Sequence, residues 1–159
     1  SGISQIRIDF GTGEIVGTIA HHPSDDSKLL FTLDEDTIPT NDLDPVLKII
    51  NPLKVGPSVG LDAKAVGQRY LILNSIGDAS NTDGPDAWKD TSGNDFIAGA
   101  NDIIQYDGIR WNIVFDSSTQ TGVHYMTHTN TGIQYKWTGD AWLKSYEGEY
   151  KAGEWTIVI

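Results

Sequence analysis

The chain contains no cysteine. Disulfides, thiolate nucleophiles and cysteine-held metals are therefore excluded. It also has no apolar run near the roughly 18 residues that a membrane-spanning helix needs. Cations are scarce: 11 Lys+Arg stand against 22 Asp+Glu, a formal net charge of −11. That balance argues against duplex nucleic acid, whose phosphates call for clustered Lys and Arg. It argues equally against an anionic membrane surface. The apolar share is 38%, below the roughly 45–50% of globular chains, although that reference also counts glycine. Helical periodicity is nearly missing. The best helical candidate is Asp44 to Ile50 (DPVLKII), two turns at most, because Asn51-Pro52 stops it.

Glycine is abundant, with 17 residues in 159. Many turns and strands follow. The length predicts one domain, or one domain with an appendage. The opening Ser1-Gly2-Ile3, without Met, is expected of a piece cut from a longer protein.

Strand patterns run through the chain. In Ile3 to Phe10, Ile6, Ile8 and Phe10 share one face, and Arg7 and Asp9 share the other. Gly11-Thr12-Gly13 turns the chain, Glu14 to Ala20 returns, and Lys28 to Leu33 adds a third run. From Asp34 to Gly60 the chain is acidic, then broken by Pro and Gly, and reads as loop, arm or linker with few contacts in its own subunit. Residues 1–60 are thus an N-terminal hairpin region with an irregular arm, and residues 61–159 a compact antiparallel β-domain. Within it, Gln68 to Leu73 is a strand and Gly77 to Asp95 a long polar loop. Ile103 to Tyr106 and Ile109 to Phe115 are strands joined at Asp107-Gly108, a two-residue type I′ signal. That turn predicts Tyr106 opposite Ile109 and Ile104 opposite Trp111. One face then carries Ile104, Tyr106, Ile109, Trp111, Ile113 and Phe115. The device recurs about thirty residues later. Trp137-Thr138-Gly139-Asp140-Ala141-Trp142 matches Tyr106-Asp107-Gly108-Ile109-Arg110-Trp111 as aromatic-x-Gly-x-x-Trp. Either a two-residue or a four-residue loop there sets Trp137 opposite Trp142. Gly153 to Ile159 reads as a last strand. The fold class is mainly β: antiparallel hairpins forming a small sandwich or barrel-like sheet.

Three stretches carry a resemblance: Gly67 to Ile72 (GQRYLI), Ala100 to Trp111 (ANDIIQYDGIRW) after a loop with Ala87-Trp88, and Tyr135 to Trp142 (YKWTGDAW). In this order they resemble a small β-domain of bacteriophage (T4-like) tail or baseplate proteins and of gene-transfer-agent tail proteins. The resemblance covers roughly residues 65–145, about half the chain. It implies a non-enzymatic structural module in the virion, with other virion proteins as partners and self-association as a further option. It implies no catalytic residue and no cofactor.

Five Trp and six Tyr invite a second reading, a carbohydrate- or receptor-binding module that stacks sugars on aromatic faces. Trp111 and Trp155 sit in alternating strands and read as core. Trp88 lies in a Gly/Asp loop and reads as an exposed interface aromatic, or else as a plug folded over the sheet. Trp88, Trp137 and Trp142 are the binding candidates. Asn81, Asp83 and Gly84 fit part of a calcium loop, but Ala79 holds the first ligand position and Asp90 the twelfth, so no metal site is expected. His124 and His128 share a strand face about 13 Å apart, too far to chelate one ion. The carboxylates Asp25-Asp26, Asp34-Glu35-Asp36, Asp42 and Asp44 serve a hydrolase only if two face each other in a cleft. A solvated polar stretch is the plainer reading, and no nucleophile elbow or P-loop is present.

Overall fold

The structure is a computed structural model that describes residues 4–9, 14–145 and 150–151. Among these the chain is all-β, with eleven strands numbered in chain order and one 3₁₀ turn, Glu35–Thr37. It divides into two compact units: Ser1–Thr40 with Tyr146–Ile159, and Asn41–Ser145.

In the first unit, β1 (Ser4–Asp9), β2 (Glu14–His21), β3 (Lys28–Leu33) and β11 (Tyr150–Lys151) form one antiparallel sheet in the order β1-β2-β3-β11. The expected N-terminal hairpin is present, paired from Ser4↔Ile19 to Asp9↔Glu14. Gly17 is required in β2, because a Cβ there would meet the Phe31 ring and the Thr32 carbonyl. The aromatic ring covers the bare backbone instead. Residues 34–37 fold back on this sheet: Thr37 Oγ1 accepts the Val16 N–H at 2.9 Å and donates to the Asp34 carbonyl at 2.8 Å. The expected strand at Gly153–Ile159, with Trp155, lies outside the described residues.

The second unit is built on β4 (Lys48–Ile50), β5 (Arg69–Ile72), β6 (Ile103–Tyr106) and β7 (Trp111–Phe115), a sheet in that order. β4 and β5 are parallel and the other pairs antiparallel. A second sheet holds β8 (His124–His128), β9 (Ile133–Trp137) and β10 (Trp142–Lys144) in the order β10-β9-β8. Residues 43–50 stitch the two sheets together. Leu43 and Val46 donate to Tyr125 and Thr127 of β8 at 3.1 and 3.0 Å, and Leu47 then donates to Arg69 of β5 at 2.8 Å. The result is one open, rolled, sandwich-like ribbon whose free ends are β7 and β10.

Two cores flank the first sheet. Val46, Leu71, Ile103, Phe115, Met126 and Trp137 fill the space between the sheets. Ile50, Tyr70, Ile72, Ile104 and Trp111 face the other way and are covered by Ile76, Trp88 and Ala98 from the loop 73–99. β5 is therefore buried on both faces, like a strand of a parallel sheet.

Four expectations are corrected by these contacts. Asp44–Ile50 is no helix. Its apolar residues serve two opposite cores, Val46 and Ile49 one and Leu47 and Ile50 the other, because the chain bends at Leu47 between the Val46 bridge to β8 and the strand β4. The arm expected over 34–60 is not an arm: Val46, Ile50 and Pro52 are buried within the second unit. The boundary falls at 40/41, not 60/61, and Tyr150–Lys151 joins the first unit. The β6–β7 register also differs. Tyr106 pairs with Trp111 and Ile104 with Ile113, across a four-residue loop. Asp107 causes this, because its Oδ1 accepts both the Ile109 and Arg110 N–H at 2.8 Å and holds them in the loop. A bulge then leaves Val114 extra, pairs Phe115 with Ile103, and moves Phe115 to the face opposite Trp111.

Candidate functional site

The polar loop 73–99 is shaped by its own side chains. Buried Asn81 accepts the Gly77 and Asp78 N–H groups at 3.0 and 3.1 Å and donates to the Ser75 carbonyl at 2.9 Å. Asp83, at φ 68, accepts the Ser58 N–H at 2.9 Å. These calcium-loop look-alikes thus serve as internal staples. Ile76 and Ala98 close the loop with a β-bridge. At its far end Asp90 accepts from the Asn94 side chain and the Asn94 main chain, both at 2.9 Å, and these bonds hold its carboxyl below the ordinary range. Lys89 bridges Asp95 at 3.3 Å and Asp86 at 3.4 Å, which raises its ammonium pKa.

This loop carries Trp88 inward. The side chain is 1% exposed and meets Trp111 edge-on, with ring centres 5.3 Å apart. Tyr70 stacks on Trp111 from the sheet at 5.2 Å, and Tyr106 flanks it at 5.4 Å. Trp88 is therefore a plug, and the exposed-interface reading of it is corrected. Three polar atoms in this cluster have no hydrogen-bond partner: Tyr70 Oη, Trp88 Nε1 and Trp111 Nε1. Burial pushes the Tyr70 hydroxyl pKa up.

A cleft of about 240 Å³ opens beside the plug. Trp88, Phe96 and Trp111 form its apolar wall, and Asp90, Asn94, Asp95 and Arg110 its polar lip. Arg110 is exposed and lies within electrostatic reach of Asp90. Ligand pockets generally start near 300 Å³, so the cleft is a small one. The sequence did not point to Phe96 or Arg110, because nothing in their spacing ties a loop to a hairpin turn about fifteen residues on.

Trp137 and Trp142 are elsewhere. They face each other across β9–β10 with ring centres 5.5 Å apart and pack on Phe115 between the sheets. Their indole N–H groups donate to the Gln120 and Asn101 carbonyls at 2.8 and 2.9 Å. The three candidate tryptophans thus form no common platform. His124 and His128 lie on β8 as expected of a strand. His124 Nδ1 is 2.6 Å from Asp42 Oδ2, and Asp42 Oδ1 accepts the Tyr125 N–H at 2.6 Å. Partial burial raises the Asp42 pKa, but these bonds outweigh it and leave the carboxyl below its ordinary value. Asp44 pairs with Arg69 at 3.1 Å, while Asp25 and Asp34 accept N–H groups in their own turns. The carboxylates are thereby dispersed among structural partners.

A second surface stands out. β7 ends the sheet, so among the described residues one side of it has no neighbouring strand. Along it Ile113 and Val114 are 40% and 42% exposed, and Ile109 at the hairpin tip is 57% exposed. Comparison with protein families, curated proteins and solved structures finds no match to this chain.

Proposed function

We propose that this chain is a non-enzymatic attachment module of a phage-type tail or baseplate assembly. The ordered resemblance of residues 65–145 motivates the assembly, and the apolar free edge of β7 carries the attachment. An exposed strand offers unpaired main-chain groups, and Ile109, Ile113 and Val114 add apolar area for a neighbour to cover. Its site of action on this reading is the virion. Antibody against the chain should label purified tail particles of the producing strain at one fixed position in electron micrographs. Intact particles without label would refute it.

The cleft favours a second reading, a carbohydrate-binding module. Half-buried Phe96 offers an apolar surface backed by the buried Trp88 and Trp111, and the lip offers acceptors and a guanidinium. Titration with monosaccharides at millimolar concentration should quench Trp fluorescence in the native chain and not in Arg110→Ala. Unchanged fluorescence across neutral and acidic sugars would remove this reading.

A further inference from the structure

We propose that residues 41–145 are an insert closed at its own base, with the Gln134 amide as the clasp, so that opening of the first unit is not passed on to the second. The inference goes beyond the attachment reading and does not rest on it. Topology is the first support. The first unit draws its sheet from chain on both sides of the insert. β3 before it and β11 after it pair directly, Leu29 with Tyr150 and Lys28 with Lys151. The chain therefore returns to the strand it left. A sheet of that kind can hold the ends of an insert together by itself, but here the ends carry a closure of their own.

That closure is the second support. Gln134 of β9 is 4% exposed. Its Nε2 donates to Asn41 Oδ1 at 2.9 Å, and its Oε1 accepts from the Ser145 hydroxyl at 2.8 Å. The Gln134 carbonyl also accepts the Ser145 N–H at 3.0 Å. One buried amide, a donor on one side and an acceptor on the other, thus bridges the first and last residues of the second unit. The entry is fastened further. Asn41 Nδ2 donates to Thr127 Oγ1 at 2.8 Å, and Thr127 stands opposite Gln134 in the β8–β9 register. A buried amide that loses a partner is left with an unpaired polar group, so opening at either end is opposed by the bonds at both.

Hydrogen–deuterium exchange of the full chain, read by segment, tests the clasp. Gly17→Val strikes the first unit alone, because its side chain would meet the Phe31 ring and the Thr32 carbonyl. Amides of β2 and β3 should then exchange about tenfold faster or more, while those of Leu43 and Ser145 keep their native rates. Gln134→Leu keeps the bulk and removes the amide. It should speed exchange at Leu43 and Ser145 about tenfold and leave β2 and β3 as they are. Asn41→Ala and Ser145→Ala each take one partner from the amide. Asn41→Ala should speed exchange at Ser145, and Ser145→Ala at Leu43, by about twofold or more, since Gln134 links the two ends. Leu43 and Ser145 amides released together with β2 and β3 in Gly17→Val would overturn the proposal. So would native rates at both ends in Gln134→Leu, or alanine variants whose effects stay at their own end.

Discussion

The hairpins β6–β7 and β9–β10 share a backbone and differ in almost every side chain. In each, the first loop residue donates its N–H to the fourth at 3.0 Å, Asp107 to Arg110 and Thr138 to Ala141. A glycine with φ near +100° takes the second place, at 103 for Gly108 and 102 for Gly139. A side-chain oxygen of the first residue accepts the N–H groups of the third and fourth, from Asp107 in one loop and Thr138 in the other. The flanking aromatic pairs meet at 5.4 and 5.5 Å, tilted by 46° and 49°. Glycine and a capping oxygen thus suffice to set the turn, and the aromatic pair comes along with it. What differs is the setting. Trp111 is sealed under Trp88 with its N–H unpartnered, whereas Trp142 donates to Asn101.

The largest test of that contrast is Trp88→Ala. It uncovers the first hairpin's indole and should cost about 3–5 kcal/mol in urea unfolding of the second unit, with no counterpart at the other hairpin. Next, Gly108→Ala and Gly139→Ala both force a side chain into the left-handed region, at about 1–2 kcal/mol. Gly139→Ala should cost more, because the new Cβ lies 3.0 Å from the Thr121 carbonyl oxygen, a main-chain atom. At Gly108 it meets only a Val66 methyl at 3.1 Å, which rotates away. Equal losses would show that the Thr121 contact adds nothing to the cost of the shared backbone. A smaller effect separates the indoles. Trp142→Phe gives up a hydrogen bond worth about 1 kcal/mol, while Trp111→Phe gives up ring area and no hydrogen bond. Equilibrium unfolding of each variant against the native chain gives the difference.

The smallest effect is the response to acid. Hydrogen bonds from Arg110, Ile109 and Asn112 hold the Asp107 carboxyl below its ordinary value in the folded state. A depressed pKa contributes stability above the unfolded value near 3.9, and that stability fades as pH falls through the folded value. Thr138 does not titrate. Asp107→Ala should therefore shrink the gap in melting temperature between pH 6 and pH 3, and Thr138→Ala should leave that gap as it is.

Strands whose faces differ in polarity were legible in the sequence. The hairpin of β1 and β2 follows from alternation in its first strand, Lys28–Leu33 from its short apolar run, and Ile103–Tyr106 from the Asp107-Gly108 turn that ends it. β4 was not, because Val46 to Ile50 has apolar residues on both sides and so lacks a period of two. The β6–β7 register was misread because the Asp-Gly rule counts backbone conformation only, whereas the Asp107 carboxylate adds two acceptor bonds that the pattern omits. The cleft was half legible. Trp88 drew attention as an aromatic in a polar loop, but Phe96 and Arg110 became its neighbours through tertiary folding alone.

The sheet-switching segment 43–50 has a kinetic consequence. Its first half is bonded to β8 and its second half to β5, so neither sheet of residues 41–145 opens without breaking a strand held by the other. The amides of Val46 and Leu47 should exchange with deuterium at the slowest rate in that unit, and both sheets should melt in a single cooperative step.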